Sequence, residues 1–141
     1  MKNVFIVLTM AVTISLSASC QGLKVPKAVK NAFAAKYPNA TNVKWGKENA
    51  KEYEAEFKSG NTAVSANFGL DGSWVETETV IPIADLPAAV STAVTSKNPG
   101  AVISMAEKTE MPGGKLHYEV AFKVGGKKKS MELNADGTKA E

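Results

Sequence analysis

Residues 52–80 read EYEAEFKSGNTAVSANFGLDGSWVETETV, and their alternation decides the fold. Tyr53, Ala55 and Phe57, then Val64, Ala66 and Phe68, are interleaved with Glu54, Glu56, Ser65 and Asn67. Alternation with a period of two marks strands that bury one face. Gly60-Asn61 and Asp71-Gly72 each suit a two-residue hairpin, which needs positive φ. The first turn pairs Phe57 with Val64, Ala55 with Ala66 and Tyr53 with Phe68. The second pairs Phe68 with Val75, Ala66 with Thr77 and Val64 with Thr79. Directly paired residues share a face, so one face collects the apolar side chains. The other holds the rows Glu54–Asn67–Glu76 and Glu56–Ser65–Glu78, with Trp74 opposite Gly69.

The flanking sequence extends this meander and then repeats it. Strands are predicted at 42–48, 51–59, 62–70 and 73–81, then at 102–111, 115–124 and 127–135, with room for at most a short one at 138–141. Lys36-Tyr37-Pro38-Asn39-Ala40 matches Lys97-Asn98-Pro99-Gly100-Ala101, and Tyr53-Glu54-Ala55-Glu56-Phe57 matches Tyr118-Glu119-Val120-Ala121-Phe122. Gly60 corresponds to Gly125, and Asp71-Gly72 to Asp136-Gly137. Punctuation residues kept in the same order are the mark of an internal repeat. Before each set of strands, apolar residues recur at helical spacing: Val25, Ala28, Val29, Ala32 and Phe33, then Leu86, Ala89, Val90, Ala93 and Val94. Pro26 and Pro87 suit the first turn, where a missing N–H has no helical partner. Pro38 and Pro99 end the helices, because the residue before a proline is pushed out of helical space. The expected architecture is α+β, with two helix-plus-antiparallel-meander repeats at 24–82 and 85–141. The helices lie on one sheet face, and the other face is open to solvent or to a partner. On that open face the second repeat places Lys123–Lys128, Ala121–Ser130, Glu119–Glu132 and His117–Asn134.

Residues 1–20 read as a signal peptide. Lys2 is followed by the apolar stretch from Val4 to Leu16 and the small residues Ser17, Ala18 and Ser19. The stretch is shorter than the roughly 20 apolar residues that span a bilayer. Cys20, the single cysteine, sits where a lipobox places its lipid-accepting residue, although Leu16 lies one position earlier than usual. Lipidation at Cys20 and ordinary cleavage near Ala18–Gln21 are the two alternatives. The protein is therefore expected to be exported, in the periplasm or as an outer-membrane lipoprotein, touching membrane only through an anchor at Cys20.

Composition excludes several functions. Beyond the signal, 16 lysines face 14 acidic residues and there is no arginine. Phosphate and nucleic-acid sites favour the planar arginine fork, so no nucleic-acid partner is expected. Lys127-Lys128-Lys129 reads as a solvated strand end. His117 is the sole histidine and lacks companions for a metal site or a catalytic constellation, so it is expected at the surface. Glu54, Glu56, Glu76 and Glu78 stand on strands, which do not offer the six to eight oxygens in a shaped loop that calcium takes. No nucleophile-elbow or phosphate-loop motif occurs. No metal, cofactor or catalytic residue is expected. Trp45 shares phase with Val43 and belongs to the core. Trp74 either covers the backbone of Gly69 or forms an exposed aromatic anchor.

The order of helix, Pro-bounded loop, Trp-containing strand, Tyr-x-Ala/Val-x-Phe strand and Asp-Gly hairpin, twice over, resembles the beta-lactamase-inhibitor-like, PepSY-like proteins. These are exported proteins of Gram-negative bacteria, prominent in gut Bacteroidota. The resemblance covers nearly all of the chain after the signal, through packing and turn motifs. It implies helices on antiparallel sheet, no catalytic residues, and a sheet face that binds protein or peptide. The candidate binding residues are Trp74, Glu54, Glu56, Asn67, Glu76, Glu78, His117 and Glu119, and the partner is an envelope protein or peptide. The alternative function is a periplasmic sensor of a small molecule or ion.

Overall fold

The computed structural model describes residues 23–140; the signal sequence and Cys20 lie outside the described residues. Two ten-residue helices, α1 (Lys27–Lys36) and α2 (Ala88–Lys97), accompany seven strands. The strands are β1 (Thr41–Lys47), β2 (Glu52–Ser59), β3 (Thr62–Gly69), β4 (Trp74–Ile81), β5 (Val102–Met111), β6 (Lys115–Val124) and β7 (Lys127–Asn134). They form one antiparallel sheet in chain order. The sheet runs unbroken across its middle, where Thr77 pairs with Glu110, Thr79 with Lys108 and Ile81 with Ala106.

Both helices start directly after a proline, at Pro26 and Pro87, and stop two residues before the next one. Each contributes two buried residues four positions apart, one turn along a single helix face. Val29 and Phe33 of α1 pack with Tyr53, Ala55, Phe57, Ala66 and Phe68. Val90 and Val94 of α2 pack with Ala106, Tyr118, Val120, Phe122 and Leu133. The pairings put all of these strand residues on one face of the sheet. The first cluster is rich in aromatic rings: Phe33 meets Phe57 at 5.1 Å and Trp45 at 5.2 Å, both edge-on. Such pairs contribute about 0.5–1.5 kcal/mol beyond area burial. In the second cluster Val94 replaces the helix phenylalanine, and the packing is largely aliphatic.

Gly60-Asn61 and Gly125-Gly126 are two-residue hairpins, joining Ser59 to Thr62 and Val124 to Lys127. Asp71-Gly72 is different. Gly69 N–H donates to the Ser73 carbonyl and Gly72 N–H to the Gly69 carbonyl, making a longer loop. Asp71 Oδ1 holds this loop by accepting from Ser73 N–H at 2.9 Å and Ser73 Oγ at 2.7 Å. The reason lies in the helix above it. A Cβ on Gly72, at φ +89°, would stand 2.8 Å from the Ala28 carbonyl oxygen, so the loop is pressed against the start of α1. Gly137 meets the Ala89 carbonyl oxygen of α2 in the same way, at 2.6 Å.

The longer loop corrects one expectation. Val64 pairs with Thr79 and Ala66 with Thr77 as predicted, but a bulge then makes Phe68 pair with Trp74 instead of Val75. One extra residue in a strand turns the following side chains to the other face. Trp74 therefore lies on the helix side, packed against the first core cluster. A second bulge, between Thr41 and Lys44, takes Val43 out of phase with Trp45. Trp45 packs on the core, while Val43 is exposed.

Candidate binding face

The sheet face away from the helices is built from the alternate residues of every strand. One row crosses all seven: Lys44, Glu56, Ser65, Glu78, Thr109, His117 and Asn134. Beside it on the first strands runs Gly46–Glu54–Asn67–Glu76. On its other side run Val80, Glu107, Glu119 and Glu132. Eight strand glutamates thus share the face: Glu52, Glu54, Glu56, Glu76, Glu78, Glu107, Glu119 and Glu132. Lysines on the same face sit at its margins, with Lys44 on the edge strand and Lys123 and Lys128 near the last hairpin. Among the described residues, none of the eight carboxylates has a lysine within 4.0 Å.

Among the described residues no helix covers this face, yet its centre is buried. Ser65, Asn67, Glu107, Thr109 and His117 are between 3% and 6% exposed. The longer side chains of their neighbours shield them. Ser65 Oγ donates to Glu78 Oε2 at 3.0 Å, and Asn67 Nδ2 to Glu76 Oε1 at 2.9 Å. His117 Nδ1 lies 3.0 Å from Glu132 Oε1. A carboxylate only accepts, so the proton of that bond belongs to Nδ1. Asn67 Oδ1 and His117 Nε2 are buried without a hydrogen-bond partner among the described residues.

The electrostatics follow from burial without countercharge. Burial, then the neighbouring charges of Glu56, Glu48 and Glu78, push the Glu54 carboxyl up to about 7. Burial, then Glu78 and Glu119, push Glu107 up to about 7 as well. Glu76, Glu78 and Glu119 are raised chiefly by burial, with Asn67, Ser65 and Ser130 respectively opposing the shift as hydrogen-bond donors. Glu54 on β2 and Glu107 on β5 are three strands apart, roughly 14 Å at the usual strand spacing. They cannot act on one reacting atom. No group of three or more His, Cys, Asp or Glu side chains among the described residues is placed to hold a metal ion.

Of the candidate residues, Glu54, Glu56, Asn67, Glu76, Glu78, His117 and Glu119 all lie on this face. Trp74 does not: its indole Nε1 donates to Thr77 Oγ1 at 2.9 Å on the helix side. His117 is on the expected face but buried beneath Glu132, because Glu132 is its diagonal neighbour across the β6–β7 pair. Glu107 and Thr109 escaped the sequence reading. The hairpin turns fix register only between strands they join, and β4 and β5 are separated by α2. The one available signal was the parity of Glu107 and Thr109 within the 102–111 strand. A depression of about 300 Å³ opens on the helix side, lined by Tyr37, Phe57, Val64, Thr77, Thr79 and Glu110. It stands at the lower end of the range for small-molecule sites, about 300–1,000 Å³.

A family profile described as "Putative beta-lactamase-inhibitor-like, PepSY-like" matches residues 18–65 and 51–138. Among solved structures, the chain is similar to a BLIP-like protein from Bacteroides fragilis, with 27% identity, TM-score 0.69, and coverage of 84% of this chain and 85% of that one. It is similar in fold to a DUF2874 family protein from Bacteroides ovatus, with 22% identity, TM-score 0.72, and coverage of 85% and 87%. It also shares the fold of a protein from Bacteroides eggerthii described as "putative periplasmic", with 20% identity, TM-score 0.74, and coverage of 84% and 87%. No curated protein matches the sequence.

Proposed function

The chain belongs to the beta-lactamase-inhibitor-like, PepSY-like family, and from that premise we propose that it is a non-enzymatic, exported module that binds a protein or peptide segment of another envelope component on the sheet face opposite α1 and α2. One observation carries this reading. Five polar residues of this face are less than a tenth exposed, and among the described residues the carboxylates around them have no lysine within 4.0 Å. A face serving only as solvent boundary has its carboxylates hydrated, at little cost to folding. Perturbed groups kept on an otherwise free surface are candidates for a functional site. The inhibitor-like description of the family supports a role in binding another protein. The separation of Glu54 from Glu107 supports a non-catalytic one.

Two further parts of the reading concern the chain as a whole. Segments 24–82 and 85–141 are two copies of one unit, supported by the matched contacts of Gly72 with Ala28 and Gly137 with Ala89. Export follows from the signal features of residues 1–20, with lipid attachment at Cys20 as the anchor; a fold neighbour described as "putative periplasmic" supports that compartment. No helix among the described residues is long and apolar enough to cross a membrane.

The test is affinity capture from the native envelope, read by mass spectrometry, with the wild-type protein and two variants that block the face sterically. Ala63 and Ala121 lie on this face, at positions that are exposed and half-buried. Ala63→Trp and Ala121→Trp should each lose the captured partner while keeping wild-type urea midpoints. Retention of the partner by both variants would place binding elsewhere.

A further inference from the structure

The central strand of the first half is low and its neighbours are high. On β3, Ser65 and Asn67 are short and buried, 5% and 6% exposed. On one side stand Glu56 and Glu54 of β2, and on the other Glu78 and Glu76 of β4, each directly paired across the row. The result is a trough with a carboxylate rail along each side, the rails about 10 Å apart. Its polar atoms are nearly all acceptors. The donors are already committed: Ser65 Oγ to Glu78 and Asn67 Nδ2 to Glu76. Because the Asn67 amide is planar and its nitrogen is directed to Glu76 on β4, its oxygen is turned to the β2 side, where Glu54 is its register partner. That oxygen is buried and has no hydrogen-bond partner among the described residues. A buried acceptor left without a donor is costly, and among the described residues Glu54 beside it has no lysine within 4.0 Å.

An unpaired acceptor next to an unpaired carboxylate is complementary to a protonated nitrogen. Resting on the reading of this face as a binding surface, we propose that the bound segment is an extended peptide strand carrying lysine or arginine at alternate positions, laid along β3. One cationic group reaches Glu54 and, by displacing the side chains that bury it, Asn67 Oδ1; the next lies over Ser65 between Glu56 and Glu78. The spacing supports this. Rungs of the trough repeat every two residues, about 6.8 Å, which is also the distance between alternate side chains of an extended chain. Charge complementarity selects the occupant: an acidic segment or a nucleic-acid phosphate would meet only carboxylates here. A metal ion finds no set of three His, Cys, Asp or Glu donors among the described residues.

The probe is an acetylated, amidated pentapeptide with lysine at positions one, three and five and glycine between. It is titrated into the protein at pH 8 and low salt, followed by backbone amide NMR. Its glutamate counterpart and spermidine are the comparisons. The lysine peptide should shift amides of β2, β3 and β4 saturably. Glu54→Gln and Glu78→Gln should each weaken it about five- to tenfold, and 0.3 M salt should weaken it further. Equal binding of the glutamate peptide, or shifts centred elsewhere than β2–β4, would overturn the proposal. So would failure of the lysine peptide to bind. Spermidine binding as tightly as the peptide would show that an amine alone suffices, overturning the extended segment. The charge-neutral variants also separate this proposal from the reading beneath it. A native partner lost in Ala63→Trp but kept in Glu54→Gln and Glu78→Gln would leave the binding face standing and remove its cationic occupant.

Discussion

The ammonium of Lys36, at the end of α1, lies 3.6 Å from the centroid of the Trp74 ring at the start of β4. The indole is held twice: Lys36 lies over one face of the ring, and Nε1 at its edge donates to Thr77 Oγ1. Tyr37, next to Lys36, shares that Thr77 hydroxyl. Trp74 thus fastens the last turn of α1 to the sheet, on the side away from the glutamate rails. Trp74→Ala should lower stability by about 2–4 kcal/mol, somewhat under the cost of a fully buried large cavity, and leave affinity for a ligand of the open face unchanged. Urea melts and the peptide titration check the two halves of that expectation. Lys36→Met should cost about 0.5–1 kcal/mol, the scale of an exposed cation–π contact.

The register gives a sharper contrast between neighbours. Phe57 and Phe122 are 4% and 1% exposed at matched positions in the two core clusters. Phe57→Ala and Phe122→Ala should each destabilise by about 3–5 kcal/mol. Glu56, one residue away on the other face and exposed, should cost within about 0.5 kcal/mol as Glu56→Ala. Denaturation midpoints that fall equally for Phe57 and Glu56 would contradict the assigned faces.

These assignments were legible in the sequence wherever a tight turn joined two strands. Gly60-Asn61 and Gly125-Gly126 fixed the pairs from Ser59–Thr62 to Tyr53–Phe68 and from Val124–Lys127 to His117–Asn134, because a two-residue turn leaves no freedom in register. Asp71-Gly72 misled because its glycine answers a tertiary demand, the close approach of the Ala28 carbonyl, that no local pattern displays. The one-residue bulge that follows moved Trp74, and with it the expected aromatic anchor. The burial of His117 was hidden for a related reason. Alternation tells which face a residue takes, and says nothing of how high its neighbours on that face stand. The junction of β4 with β5, which brings Glu107 beside Glu78, spans a helix and so had no turn from which to count.

The two helix-docking glycines make a prediction of their own. Gly60 and Gly72 both have positive φ, +62° and +89°. Nothing lies near a Cβ on Gly60, whereas one on Gly72 would meet Ala28 backbone at 2.8 Å. Gly60→Ala should cost only the backbone term of about 1–2 kcal/mol. Gly72→Ala should cost more, about 3 kcal/mol or above, because the loop must also withdraw from α1. Gly137→Ala should behave like Gly72→Ala. Equal costs at Gly60 and Gly72, measured by thermal or urea unfolding, would show that the loop is not pressed on the helix.

The crowding of glutamates on an uncovered face should also be visible in the pH dependence of stability. The Glu54 and Glu107 carboxyls rise from an ordinary 4.5 to about 7 on folding, with burial the largest cause in both. Between those values the folded chain holds protons that the unfolded chain has released, so stability falls as pH rises through the window. Asp71 and Asp136 work in the opposite sense. Their hydrogen bonds from Ser73 and Thr138 hold them below 3.8, so their contribution is lost only as pH falls through the lower value. The midpoint of urea unfolding should therefore decline from pH 5 to pH 8. Glu54→Gln should flatten that decline and add about 1–2 kcal/mol at pH 8, a figure reduced from the full shift because Glu54 is only half-buried; Glu107→Gln, at a buried position, should flatten it at least as much. A cationic ligand in the trough should act on Glu54 in the same direction, drawing out its proton and steepening affinity between pH 6 and pH 8. Glu107, on β5 and outside the trough, should respond to substitution without changing that affinity profile. Parallel stability curves for wild type and both glutamine variants would mean that the carboxylates are hydrated after all, and the case for an unfilled binding face would lose its energetic basis.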